Sequence, residues 1–146
     1  MTDPRNLGAC LRSANAAGVD AVLLPKRRIA PVGSTVMKVA QGGFEELAIA
    51  EIGNLARTLK WLQEKEVWII GADAAGESIW ESDIDNRSVA LVVGDEGKGL
   101  RRLTKELCDE MVSIPMFGTV ESLNVSVATG ILLFELRRKT AQSPNS

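Results

Sequence analysis

The chain has 146 residues, is 45% hydrophobic and 25% charged, and carries a formal net charge of −2. This fits one globular domain able to bury its own core without disulfides or a metal. It excludes a membrane helix, which needs about 18 consecutive apolar residues. The leading MTDPRNLG also lacks the charged-then-apolar order of a secretory signal. The sequence has no histidine, so the commonest general base and transition-metal ligand are missing, and no metal is expected. An acidic balance gives no whole-molecule case for a nucleic-acid partner, so any such contact must come from local basic clusters.

In chain order, Asp3-Pro4 predicts a helix start, with an acceptor at the cap and proline at the first helical position. Leu7, Cys10, Leu11, Ala14 and Ala17 recur at helical spacing up to Gly18, a C-terminal stop. Arg5 and Arg12, seven apart, fall together on the face away from that stripe. AVLL before Pro25 predicts a short buried strand, followed by a basic loop, Lys26-Arg27-Arg28. Ser34 to Ala40 has weak helical character before Gly42-Gly43. Leu47 to Ile52 alternates like a strand. Asn54 predicts a cap for a helix to about Lys65, with Leu55, Leu59 and Leu62 inward.

VWIIGA (Val67 to Ala72) predicts a buried strand, and Asp73 to Asp85 a polar, irregular stretch anchored by Ile79 and Trp80. Val89 to Val93 is the next expected strand, Leu100 to Cys108 a helix, and Met111 to Ile114 a strand. A final helix is expected from Asn124 to about Lys139. It is apolar nearly all round, as buried helices are, and its cations Arg137, Arg138 and Lys139 wait for the C-terminus. Residues after Thr140 read as a tail. Strands alternating with helices, each strand a continuous apolar run, predict an α/β domain with a mostly parallel sheet flanked by helices. Cys10 and Cys108 lie in amphipathic helical patterns and read as reduced thiols of a cytoplasmic protein. Trp61, Trp68 and Trp80 sit in apolar patterns and read as core.

Three loops carry the candidate chemistry. Gly94-Asp95-Glu96-Gly97-Lys98-Gly99 is a glycine-rich strand-to-helix turn. It reads either as a plain tight turn or as a loop whose backbone approaches a ligand. Its glycine spacing is not the dinucleotide fingerprint, and Lys98 precedes glycine where a P-loop has Ser or Thr. A second loop follows the strand ending at Ile114 and contains Pro115 and Met116. A third, around Ser122-Leu123-Asn124, opens the final helix. Its small polar residues read as helix caps, or as caps that also face a ligand. By default Arg12 is a solvated or paired arginine and Lys26-Arg27-Arg28 a solvated loop, though that loop is the best local candidate for phosphate contact.

Taken in order, three segments resemble the SpoU (TrmH-like) class of RNA ribose 2′-O-methyltransferases. DPRNLGACLRSANAAG (Asp3 to Gly18) is similar to that class's first motif, LVVGDEGKGL (Leu91 to Leu100) to its second, and IPMFGTVESLNVSVATGILLFE (Ile114 to Glu135) to its third. Within the class, the likeness is greatest to the bacterial enzymes acting on a 23S rRNA guanosine, with tRNA-directed relatives next.

The resemblance implies a deep trefoil knot in the C-terminal part, which general topology rules disfavour. It further implies S-adenosylmethionine as methyl donor, an RNA substrate, and a homodimer whose active site lies at the subunit interface. By position it assigns donor binding to Gly94, Ile114, Met116, Ser122, Leu123 and Asn124. It assigns the polar active-site positions to Asn6, Arg12, Glu96, Ser122 and Asn124. Arg5, Arg12, Lys26, Arg27 and Arg28 become the RNA contacts. Residues 1–140 are then one methyltransferase domain and 141–146 a tail. By the resemblance, the strand and the small RNA-binding domain that usually precede the first motif are expected to be missing here. Asp95 stands where a small or amide residue is expected.

Methyl transfer to a 2′-oxygen is mainly a matter of positioning. The oxygen must lose its proton, and a cation favours the alkoxide that develops. Arg12 is the candidate, either as the base or as the oxyanion stabiliser, steered by Asn6 and with Glu96 orienting either residue. The competing reading is a non-catalytic dimeric RNA-binding or assembly module that keeps the knot. A weaker one is a nucleotide-binding α/β protein, which the glycine spacing fits poorly.

Overall fold

A computed structural model describes residues 4–25, 47–94 and 99–140. The segments 26–46 and 95–98 and the two termini lie outside the described residues. With them go Asp3, Lys26, Arg27, Arg28, the weak helix at Ser34 to Ala40, Gly42-Gly43, Asp95, Glu96, Lys98 and the tail.

Helix α1 (Pro4–Ala16) ends as its glycine requires. Gly18 has φ +75, and the turn closes through Ala17 N–H to the Ser13 carbonyl and Val19 N–H to that of Ala14, each 2.9 Å. Strand β1 (Ala21–Pro25) pairs in parallel with β2 (Ala48–Ile52). Helix α2 (Leu55–Glu64) is capped as expected: the Asn54 side chain accepts from Arg57 N–H at 2.9 Å.

Strand β3 (Trp68–Ser78) is the centre of a three-stranded parallel sheet, with β4 (Val89–Val92) on one side and β5 (Glu110–Ser113) on the other. Helix α3 (Arg102–Leu107) crosses from β4 to β5. Helix α4 (Val125–Thr140) ends the described chain. The α/β class with parallel pairing was expected from the alternating elements, but the single sheet expected is, among the described residues, two: β1–β2 and β4–β3–β5.

Some expectations are corrected. The stretch after Ala72 is not irregular throughout: β3 runs on to Ser78. It leaves its ladder with β5 at Ala72 and rejoins at Glu77, both opposite Val112. Gly76 makes this possible, because a Cβ there would lie 2.7 Å from the Met111 carbonyl carbon. Ser113 Oγ closes the gap by donating to the Gly76 carbonyl at 2.8 Å. These pairings join segments far apart in the chain, so local pattern carries no sign of them.

The tryptophans are a further correction. Trp61 is 54% exposed and Trp80 44%; the anchor at that corner is the fully buried Ile79. Trp61 lies on the outer face of α2, with Lys65 over its ring. Trp68 is half-buried. Its indole N–H donates to Glu110 at 2.8 Å, and Arg87 lies over its face, 4.4 Å from the centroid.

The final helix explains its own composition. One apolar cluster holds Leu7, Leu11, Ala14, Leu24 and Leu47, with Leu133 of α4 against it. The other holds Ile70, Ile79, Ile84 and Val112 with Leu132 and Leu136 of α4. A helix that faces two cores needs apolar residues on two sides. The nearly all-round burial predicted for it is corrected in part: Val127 and Phe134, seven residues apart, are half exposed.

Candidate functional site

Because β3, β4 and β5 run parallel, the chain leaves β4 and β5 at the same edge of the sheet, on either side of β3. The carboxyl edge of a parallel sheet is where α/β domains place ligands, since the loops there are free to vary over a rigid base. Both strand-exit loops singled out in the sequence emerge here. Gly94 follows β4, and Ile114 follows β5.

The glycine turn is closed at its feet. A Cβ on Gly94 would lie 2.1 Å from the Gly99 carbonyl oxygen and 2.5 Å from its carbon. Only glycine permits that backbone-on-backbone approach. Gly99 has φ +65, the left-handed conformation. Beyond it Leu100 is buried and seats the start of α3 against the sheet. Its Cδ1 lies where a side chain on Gly71 would go.

The other loop runs from Ile114 to Asn124. Ile114 packs on the second core cluster and Met116 is half-buried. Past Pro115 the chain opens to solvent: Phe117 is 91% exposed, Val120 63% and Leu123 37%, and Ser122 is exposed. Asn124 caps α4. Its Oδ1 accepts from Ser126 N–H at 2.8 Å and from Ser126 Oγ at 2.6 Å, and its carbonyl accepts from Ala128 N–H. The capping reading of Asn124 therefore holds, and what it retains for a ligand is its amide N–H group.

Helices α1 and α4 lie side by side and run in the same direction. Cys10 meets the Thr129 hydroxyl. A Cβ on Gly130 would touch Ser13 Oγ at 3.4 Å. At the far end Arg137 donates to the carbonyls of Ala17 (2.9 Å) and Gly18 (2.6 Å). This register puts Asn6, one turn before Cys10, at the same end of the pair as Asn124. Arg5 and Arg12 are exposed on the side of α1 turned from its buried stripe, as their spacing predicted. Burial raises the Cys10 thiol above its ordinary value, offset in part by the Thr129 hydrogen bond. Cys10 and Cys108 are both free thiols.

Two residues at this edge were missed in the sequence. Asp73 takes a 2.8 Å ion pair from Lys105 of α3. Its Oδ1 would stand 3.6 Å from a Cβ on Gly99. The Lys105 contact, with backbone N–H groups of Ala75 and Ala74, holds the Asp73 carboxyl below its ordinary value despite the opposing effect of burial. The one available signal was an acid directly after a continuous apolar strand, where a parallel strand ends. A concavity of about 420 Å³, lined by Gln63, Glu66, Val67, Trp68, Arg87 and Asp109, opens at the amino edge of β3 and includes none of the three loops. Among the described residues no helix is long and apolar enough to cross a membrane, and no group of three acidic or sulfur ligands converges.

A parallel sheet with a glycine-footed turn and an exposed loop side by side at its carboxyl edge is an α/β arrangement that offers backbone groups at that edge. The family model for "SpoU rRNA Methylase family" matches residues 1–134, and the chain belongs to that family. It is 56% identical over 140 residues to the 23S rRNA (guanosine-2'-O-)-methyltransferase RlmB of Escherichia coli strain K12, covering 95% of this chain and 57% of that protein.

Solved structures share the fold, among them two with the donor bound. The SpoU methyltransferase AviRb from Streptomyces viridochromogenes, in complex with the cofactor AdoMet, matches with a TM-score of 0.86 at 25% identity, over 97% of this chain and 58% of that one. The AdoMet-bound rRNA methyltransferase from Sinorhizobium meliloti matches with a TM-score of 0.85 at 30% identity, over 94% and 52%. The chain thus spans a little over half the length of these relatives.

Proposed function

We propose that this chain transfers the methyl group of S-adenosylmethionine to a ribose 2′-hydroxyl in RNA, with a guanosine of 23S rRNA as first target and tRNA as second. The observation that carries the reading is the pair of loops at one sheet edge. Gly94 and Ile114 leave strands on either side of β3, in segments similar to the family's second and third motifs. The cradle suits a donor held by backbone, since Gly94 leaves no room for a side chain. Backbone groups at Gly94, Ile114 and Leu123, with Met116, Ser122 and the amide of Asn124, would hold it. Bound there, the donor supplies an electrophilic methyl on a sulfonium centre.

The polar residues then divide the work. Arg5 and Arg12, exposed along one face of α1, engage RNA phosphates together with Lys26, Arg27 and Arg28. Arg12 stabilises the 2′-oxygen as it loses its proton. A guanidinium is a poor base but a permanent cation. Asn6, at the Asn124 end of the α1–α4 pair, orients Arg12, and Glu96 completes the polar set.

The same reading includes the C-terminal trefoil knot, a cytoplasmic location and a homodimer with its active site at the interface. The exposed apolar residues Phe117, Val127 and Phe134 support the dimer, because large apolar side chains left in water mark contact surfaces. Light scattering checks that state.

Tritiated methyl transfer to bulk rRNA and tRNA tests the activity. The expected outcome is incorporation by wild type and loss in Arg12→Ala, with calorimetric affinity for S-adenosylhomocysteine nearly unchanged. Transfer at the wild-type rate by Arg12→Ala refutes the catalytic assignment. RNA binding without any transfer by wild type would favour the non-catalytic module instead.

A further inference from the structure

We propose that Asp73 and Lys105 are positioning residues for the glycine turn, an ion pair that holds its carboxyl-side foot in the donor-binding shape. The inference rests on the donor pocket assigned above and adds two residues outside all three motif segments.

The geometry brings three elements to one point. Asp73 is the first residue of β3 beyond its pairing with β5 at Ala72. Its side chain is 17% exposed, so its charge needs partners. It has Lys105 Nζ at 2.8 Å and backbone hydrogen bonds from Ala74 and Ala75. The same carboxylate stands against Gly99, 3.6 Å from the site of a Cβ. Lys105 rides on α3, the helix that starts just after the turn. Central strand and following helix are thereby joined through one carboxylate that faces the open side of Gly99.

The alternative is an ion pair that serves the fold alone. Lys105 is 41% exposed, and pairs this open to solvent add little to global stability. The fold, moreover, has its own anchor at this place in Leu100, which is buried. What the pair can control is local: where Gly99 sits relative to Gly94, whose backbones already touch. A small displacement at that contact moves the two feet of the turn apart.

Calorimetric titration of the full chain with S-adenosylhomocysteine tests this, alongside urea unfolding and amide hydrogen exchange. Asp73→Asn and Lys105→Met should each weaken affinity about tenfold, with urea midpoints close to wild type. The double variant should be no weaker than either single one, because each removes the same interaction. Lys105→Arg should retain affinity. Independently of any ligand, the Leu100 amide should exchange faster in Asp73→Asn while the amides of β4 keep their protection.

Wild-type affinity in both single variants, or unchanged exchange at Leu100, overturns the proposal and leaves the pocket standing. Weakened affinity matched by a general loss of protection also overturns it, as a fold defect. A folded wild type that binds no S-adenosylhomocysteine sinks the pocket reading itself, and this one with it.

Discussion

Gly94→Ala is the sharpest single perturbation of the site. The added Cβ would lie 2.1 Å from the Gly99 carbonyl oxygen, 2.5 Å from its carbon and 3.1 Å from Leu100 N. Optimal carbon contacts begin at about 3.5 Å, so the two feet must part by roughly 1 Å. All three atoms belong to backbone, so no rotamer change relieves the clash. Forced overpacking of this kind costs about 1–3 kcal/mol, and the upper half of that range applies when backbone must move.

Gly99→Ala is the control. It pays instead for a left-handed φ of +65, about 1–2 kcal/mol, while its Cβ would meet only Asp73 Oδ1 at an ordinary 3.6 Å. Urea unfolding should therefore rank Gly94→Ala below Gly99→Ala, with similar m-values. A site wall displaced by about 1 Å no longer meets a bound ligand at contact distance. Affinity for S-adenosylhomocysteine should accordingly fall further in Gly94→Ala than its stability loss alone would produce. A Gly94→Ala protein with wild-type midpoint and wild-type affinity would refute both the close approach and the role of the turn.

Three further outcomes follow from contacts away from the turn. Arg137→Met removes two hydrogen bonds that tie α4 to the end of α1, one part-buried and one exposed; the loss should be about 1 kcal/mol, seen as a lower urea midpoint. Asn124→Ala deletes the α4 cap and should cost about 1 kcal/mol, with donor affinity reporting whether its amide does more than cap. Burial, helped by Asp109, pushes the Cys108 thiol from 9.0 up to about 11. Its folded value is raised, so its contribution is fully present below pH 9 and is lost as pH rises towards 11. Cys108→Ala should flatten that alkaline limb in a pH series of urea melts, and alkylation of Cys108 at neutral pH should be slow in the folded chain.

Much of the site was legible without coordinates. The turn at Gly94–Gly99, the loop after Ile114 and the cap at Asn124 all rest on local chemistry: glycine where backbone is crowded, proline after a strand, a small polar residue before a helix. Arg5 and Arg12 share an exposed face because helical spacing alone puts them there. Asp73 was legible only as an acid after a strand. Its partner Lys105 lies beyond an entire strand and turn, and nothing in either neighbourhood announces the other. Trp61 was misread for a related reason. Its apolar surroundings in sequence are typical of a core, but α2 turns that face to solvent and Lys65 covers it.

The final helix separates the two kinds of information most clearly. Its composition was enough to predict a helix from Asn124 to about Lys139 that is in large part buried, since an apolar surface on several sides is costly to leave in water. Only the tertiary structure decided what those sides meet: one core through Leu133, another through Leu132 and Leu136, with Val127 and Phe134 left outside. Helical and strand periodicity are written within a few residues and can be read there. Which face meets which core, and which acid meets which lysine, depends on the order in which parallel strands cross over one another, and that order is a property of the whole chain.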